Sequence, residues 1–330
     1  MAEDDDSSAK SVAPLFELLS SSSELFLNTD DDTATKALAA NLVQAFSETG
    51  FLRITCPDLV PIALQEQALK AAREVLTQNH NKNKNVISHP TDPKRYCMFS
   101  KSDDYTQAPA ILHKYTQQLE KVKHVLLKLL ALGLNLEQNY FSDLHSDNES
   151  ALRLLLYPAL SETSETGNRC KEHSDYGSIT LLLTDGVSGL EAFDSGSHQW
   201  KPVPYTQGAI IVNAGSLLEQ WTGGKIPATL HRVAGPQSQG ISASHKAILE
   251  QAAQQDRISL AFFADPNSNV VAALNDKDGK NDTPNNMTVA EYIRYRSGNI
   301  NDATSRSGVA FTAQEQERIS TERPSSSTKG

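Results

Sequence analysis

Two His-x-Asp tripeptides, His145-Ser146-Asp147 and His173-Ser174-Asp175, are the residues of this chain whose types and spacing most directly suggest metal chemistry. Imidazole and carboxylate ligands gathered on one face of a metal ion leave its other positions open to reactants. A strand can deliver such a pair, because residues i and i+2 project from the same side. The tripeptide alone is weak: with nine His and 21 Asp in 330 residues, about 0.6 copies are expected by chance. Context has to choose between the two. The first lies in NYFSDLHSDNES, a polar stretch with no apolar strand beside it, and reads as a solvated loop. The second runs into YGSITLLLTDGVSGLEAF, an apolar strand, a turn and another strand. That copy can sit at the mouth of a barrel.

The surrounding elements fit this placement. From about 33 to 136 the chain is mostly helical. In TATKALAANLVQAFSETG the apolar Leu38, Leu42, Ala45 and Phe46 share one helix face, and Gly50 is a natural stop. Phe51 to Ile54 reads as a short strand. Two further amphipathic helices follow, PIALQEQALKAAREVLTQ and PAILHKYTQQLEKVKHVLLKLLALGL, separated by NHNKNKNVISHPTDPKRY, which has no helical period and reads as loop. From about 151 short apolar strands bounded by Gly, Pro, Asp or Asn take over: LRLLLYP, GSITLLLTD, GLEAF, WKPVP, AIIVNAG, ATLHRVAG and RISLAFFAD. Strands of this kind suggest a sandwich or barrel. The expected organisation is an acidic tail at 1–11, a mainly helical region at 12–150, a strand-rich barrel region at 151–298, and a polar tail at 299–330. Both tails hold too few large apolar side chains to offset ordering entropy and are expected to be mobile.

The order of these motifs resembles the isopenicillin N synthase-like branch of the iron(II)/2-oxoglutarate oxygenases. LRLLLYP, HSDYGSITLLLTDGVSGLEAF, Trp200, GAIIVNAGSLLEQWTGGKIPATLHRV and RISLAFFADP look like its catalytic core, between Leu152 and Pro266. AFSETGFLRI resembles the helix-to-strand segment that opens the family, and MTVAEYIRYR its C-terminal helix. The resemblance implies an α+β fold: a double-stranded β-helix, or jelly-roll, barrel with a helical N-terminal region packed against it. It also implies Fe(II), 2-oxoglutarate and O2 as cofactor and co-substrates, and a small-molecule substrate. Carried over position by position, His173, Asp175 and His231 match the metal ligands. Arg257 and Ser259 match the pair that binds the distal carboxylate of 2-oxoglutarate, a role suited to a planar guanidinium and a hydroxyl. Tyr157 matches a contact to co-substrate or substrate. Arg153, Phe263 and Asp265 are candidates for the substrate wall.

Departures from the pattern are local. Leu155 stands where the family often has Asn, NRCKE precedes His173 in place of a Gly-rich run, and the segment between His231 and Arg257 is longer than usual. That segment reads as a surface insertion with a short helix, His245 lying outside the site. Other activities remain open on the residues alone: an oxidase of the same fold that uses no 2-oxoglutarate, a zinc hydrolase, or a barrel that binds a ligand without turnover.

Composition narrows the class further. With 30 basic and 40 acidic residues the net charge is -10, which disfavours sequence-independent binding to nucleic acid and anionic membranes. Cys56, Cys97 and Cys170 are too scattered for a disulfide framework or a CxxC site and suit a reducing compartment. The acidic N-terminus lacks a basic and an apolar region, and HVLLKLLALGLNL is too short to span a bilayer. A monomeric cytoplasmic enzyme is the expectation.

Overall fold

The computed structural model describes residues 12–18, 33–78, 85–100, 108–160, 167–272 and 287–296; the two tails lie outside these. Helices α1 (Thr33–Thr49), α2 (Ile62–Thr77) and α3 (Ala110–Gly133) form one layer, followed by the short α4 (Tyr140–Asp143). Strand β2 (Phe51–Thr55) follows α1 directly, and Gly50 makes the turn with φ +68°, its N–H donating to Phe46 O at 2.8 Å. The helix α1 buries Ala39, Leu42, Val43 and Phe46, spacings of three and four that keep one face inward. Gly133 at the end of α3 lets the two helices touch, because a Cβ there would stand 2.3 Å from Ala39 O.

The remaining strands are β1 (Leu15–Glu17), β3 (Ile87–Ser88), β4 (Arg95–Ser100), β5 (Ala151–Tyr157), β6 (Cys170–His173), β7 (Ile179–Thr184), β8 (Leu190–Asp194), β9 (Gln199–Pro202), β10 (Ala209–Ala214), β11 (His231–Val233) and β12 (Arg257–Ala264). They make an eight-stranded major sheet, β1-β2-β10-β7-β12-β5-β4-β3, and a four-stranded minor sheet, β6-β11-β8-β9. Among the described residues three helices complete the set: α5 (Ser216–Trp221), α6 (Ala243–Ala253) and α7 (Val289–Arg296).

Strand alternation sorts the major sheet's side chains into two sets. Leu152, Leu154, Leu156, Leu181, Leu183, Ile258, Leu260 and Phe262 join the helical layer in the largest apolar cluster. Each large apolar side chain buried this way contributes roughly 1.5–3 kcal/mol. The alternate residues, Leu155, Tyr157, Ala261 and Phe263 among them, face the minor sheet. Both faces are therefore buried, which explains why these strands read as near-continuous apolar runs.

Two expectations need correction. The stretch expected as loop between α2 and α3 contributes strands: β3 and β4 pair with each other, and β4 pairs along its whole length with β5, Arg95 opposite Leu156 to Ser100 opposite Ala151. The reason is β5 itself, whose free edge offers a row of backbone donors and acceptors to any neighbouring segment. The front region is thus helical on one side only, with β1, β2, β3 and β4 supplied to the barrel sheet. The insertion behaves as expected: α6 is its helix, capped by Ser242, whose Oγ accepts from His245 N at 3.2 Å.

Candidate metal centre and anion pocket

His173 is the last residue of β6, and pairing of β6 with β11 sets it directly opposite His231. Asp175 is not on the strand: it lies in the loop after it, so its approach owes nothing to strand alternation. The loop is instead locked against the start of α5. Asp175 O accepts from Ser216 N at 2.8 Å and from Ser216 Oγ at 3.1 Å, while Gly215 N donates to Ser178 O at 2.8 Å. The fit requires glycine, since a Cβ on Gly215 would stand 2.2 Å from Gly177 O.

The three side chains converge. Asp175 Oδ1 is 4.0 Å from His173 Nε2 and 3.9 Å from His231 Nε2, and the two imidazole centroids are 4.2 Å apart. Each ring's other nitrogen is committed: Nδ1 of His173 donates to Lys171 O at 2.8 Å, and Nδ1 of His231 to Thr229 O at 3.1 Å. A carbonyl can only accept, so in the neutral form each ring carries its proton on Nδ1 and turns the Nε2 lone pair toward the centre. Asp175 Oδ2 accepts from Thr180 Oγ1 at 2.5 Å and Asn213 Nδ2 at 2.8 Å, which orients Oδ1 toward the imidazoles. Burial, with His231 facing it, pushes the His173 pKa down to about 3, so the ring is neutral. Burial alone would raise the Asp175 pKa. The facing His231 and His173, with the bonds from Thr180 and Asn213, hold it below the usual carboxylate value. Two imidazoles and one carboxylate, each held by an outer partner, suit a divalent ion that keeps open positions. Among the described residues this is the one cluster of His, Cys, Asp or Glu with such spacing.

These groups line a cavity between the two sheets, about 610 Å³ with the open space at its mouth included, and Arg257 and Ser259 stand on its wall. Arg257 is only 1% exposed, yet it makes no carboxylate pair among the described residues. Its Nε donates to Val187 O at 3.1 Å, Nη1 lies 3.4 Å from Ser259 Oγ, and the guanidinium sits 5.2 Å from the Tyr157 ring centre. Tyr157, opposite Arg257 across the β5–β12 ladder, bonds Ser259; burial pushes its phenol up to about 12 and keeps it neutral. A second buried cation, Arg169, donates to Tyr157 O at 2.7 Å and Pro158 O at 2.8 Å; burial and the nearby Arg257 push its pKa down to about 10. A buried guanidinium without a carboxylate is a ready site for an anion.

Arg153 and Phe263 line the same cavity at its other end, the Arg153 guanidinium 5.3 Å from the rings of both Phe263 and Tyr96. Asp265 is not brought to the cavity wall. Strand β12 ends at Ala264, so alternation no longer places the next residues, and the Asp265 carboxylate packs where a Gly177 Cβ would come within 2.3 Å of Oδ1. The solvated-loop expectation for His145 also fails: it is fully buried, with Nδ1 donating to Phe141 O at 2.7 Å and Nε2 2.8 Å from Ser178 Oγ. It stays far from the cluster in role, a core residue stacked edge-on to Trp221. His245 lies outside the cluster and meets Glu191 Oε1 at 3.0 Å.

Sequence reasoning missed several residues of the site. Thr180 and Asn213 were hidden inside apolar strand runs, where a lone polar residue between Ile or Leu neighbours was the available signal. Lys94, on the cavity wall, bonds Cys170 Sγ and Asp92 Oδ2, both at 2.9 Å, and ties the β3–β4 hairpin to β6. It lay in the stretch read as loop.

Comparison with known proteins adds the following. Residues 134–266 match the 2OG-Fe(II) oxygenase superfamily. A 2-oxoglutarate-Fe(II) type oxidoreductase of Metarhizium majus (strain ARSEF 297) is 31% identical over 189 residues, 55% of this chain and 51% of that protein. A 2-oxoglutarate-dependent dioxygenase of Penicillium crustosum is 36% identical over 121 residues, 36% of this chain and 37% of that protein. The chain spans about half the length, or less, of the curated relatives it matches. A full-length Neurospora crassa protein, crystallised in complex with alpha-KG, shares the fold, with a TM-score of 0.68 at 20% identity, covering 86% of this chain and 95% of that one. The double-stranded β-helix expectation is met.

Proposed function

We propose, from the match of residues 134–266 to the 2OG-Fe(II) oxygenase superfamily, that the protein is an Fe(II)- and 2-oxoglutarate-dependent dioxygenase. It would oxidise a C–H bond of a small specialised metabolite, by hydroxylation, desaturation or ring closure, releasing succinate and CO2. His173 and His231 would hold the iron through Nε2 and Asp175 through Oδ1. Bound there with its co-substrate, iron supplies the activation of dioxygen that no side chain can provide.

The chain's own residues bind, orient and exclude water. The observation that carries the reading is Arg257: a fully buried cation without a carboxylate partner among the described residues, on the wall that also holds the three ligands. It would take the distal carboxylate of 2-oxoglutarate, with Ser259 and the neutral Tyr157 phenol as further donors. Arg153 and Phe263, about 13 Å and about 20 Å along the ladder from Arg257, would receive the substrate, the cation and the ring favouring a polar acceptor beside an apolar body. Asp265 is left out of this assignment. The curated relatives described as 2-oxoglutarate-dependent dioxygenases support the chemistry, and that description names no substrate.

The three free buried cysteines support a cytoplasmic location, and the acidic charge balance favours a small molecule over nucleic acid as substrate; action as a monomer belongs to the same proposal. No helix among the described residues is long and apolar enough to cross a membrane. The test is metal analysis with a substrate-screened succinate assay. Replacing His173, Asp175 or His231 by Ala should remove iron and turnover while the far-ultraviolet spectrum is kept. Unchanged iron content in all three variants would sink the assignment. Turnover without succinate would favour the oxidase that draws its electrons from substrate.

A further inference from the structure

A second cavity, again about 610 Å³, adjoins the first beyond Arg257. The β ladders show where it lies. Thr180, the partner of Asp175, lines the reaction cavity, whereas Thr184, four residues further along β7 and opposite Ser259, lines the second. Leu190 and Arg257 line both. The barrel is therefore hollow at two ends, with the metal ligands and Arg153 toward one and Arg257 at the partition. The second chamber is roofed by α6 through Ile248, 51% exposed, and walled by Tyr205, 53% exposed.

Resting on the reading of Arg257 as the co-substrate anchor, we infer that this rear chamber is the route by which the dicarboxylate co-substrate enters and its dicarboxylate product leaves. A ligand whose distal carboxylate sits on Arg257 has that end at the partition. Its other end lies beneath whatever substrate occupies the Arg153–Phe263 mouth. With a front opening only, succinate could depart only after the oxidised product had gone. The rear chamber removes that constraint.

The partition is thin. Val187, on the chamber wall, accepts from Arg257 Nε at 3.1 Å and lies in a loop bounded by Gly186 (φ +85°) and Gly189 (φ +142°). A side chain on Gly189 would stand 3.1 Å from Val233 Cγ1 and 4.0 Å from Arg257 Cδ, and one on Gly186 would meet the Tyr205 ring at 3.2 Å. Glycine at 189 keeps the space beside the Arg257 side chain clear, and glycine at 186 lets the Tyr205 ring close the chamber wall. The chamber's walls are otherwise largely apolar, with Arg257 the single Lys or Arg among the described residues that line it. A dianion in transit is thus not held before it reaches the anchor, which suits passage over storage.

Ile248 tests this without touching the site, because it lies on the exposed face of a helix, where substitutions are usually tolerated. The measurement is anaerobic stopped-flow mixing of the iron(II) protein with 2-oxoglutarate, followed by the visible band of the chelate, and displacement for the off-rate. Ile248→Trp should slow association and dissociation several-fold by the same factor, leaving Kd unchanged. Ile248→Ala should speed both. A purely structural effect would move Kd instead. Unchanged rates in both variants, or a response confined to bulk added at the front mouth by Phe263→Trp, would overturn the inference. Wild-type protein that shows no band at all would refute the co-substrate reading itself, a result distinct from either.

Discussion

Replacing Arg257 by Gln separates what this residue does for binding from what it does for folding. In the free protein the guanidinium is 1% exposed and faces no carboxylate among the described residues. Its burial therefore carries a desolvation cost that no counter-charge offsets. Neutralising it should leave the unliganded protein as stable as before, or more so. With 2-oxoglutarate the sign reverses. Losing one partner of a buried, hydrogen-bonded charge pair costs about 2–5 kcal/mol, or roughly one and a half to three and a half decades in affinity. Ligand at a hundred times Kd stabilises a protein by about 2.7 kcal/mol, and by only about 0.4 kcal/mol at Kd itself. A hundredfold loss would thus erase most of the ligand-induced rise in Tm at a fixed concentration. The assay is thermal unfolding of the iron(II) protein, without oxygen, across a 2-oxoglutarate titration. Arg257→Lys should recover only part of the rise, because an ammonium cannot reproduce two parallel hydrogen bonds or the stacking on Tyr157. Equal ligand-induced shifts in wild type and Arg257→Gln would refute the argument. So would a large loss of unliganded stability, which would show that the cation is matched by something else.

Asn213→Leu and Thr180→Val should each weaken iron binding, about 10–100-fold by the usual effect of outer-shell partners, with the fold kept; competition with a metal-sensitive dye would read it. His145→Ala should leave iron stoichiometry unchanged but destabilise the protein by a few kcal/mol, since it opens a cavity and strands Phe141 O in the core, while Ser178 Oγ keeps Ala264 O at 2.6 Å. Burial pushes the His145 pKa down to about 3 from 6.5. The unfolded chain therefore binds a proton that the folded one refuses, and stability falls as pH drops from about 6.5 toward 3. His145→Gln should reduce the slope of Tm against pH across that window, His173 supplying part of what remains, and an unaltered slope would contradict the assignment.

Much of this protein was legible before any coordinates. Helix α1 was readable because Leu42 and Phe46 recur with the helical period and Gly50 stops it. The barrel strands were readable because apolar runs such as LRLLLYP and RISLAFFAD are bounded by turn residues. The proposal of His173 and Arg257 as site residues came from the order of motifs, which is a property of the chain. What stayed hidden depends on contacts between segments distant in sequence. Strand β4 exists because the edge of β5 accepts it, and no local pattern in KRYCMFS announces that partner. His145 looked solvated because its neighbours are polar; Phe141 O and Ser178, brought together by packing, are what bury it. Asp175 reaches the imidazoles through a loop clamped on α5, where strand geometry had been the expected cause. Likewise Thr180 and Asn213 have no meaning until β7 and β10 pair and aim both at one carboxylate oxygen. Sequence determines which side chains and local conformations are available, because these depend on near neighbours. Which polar groups are buried, and which charge is left without a partner, is decided only when remote segments close around them.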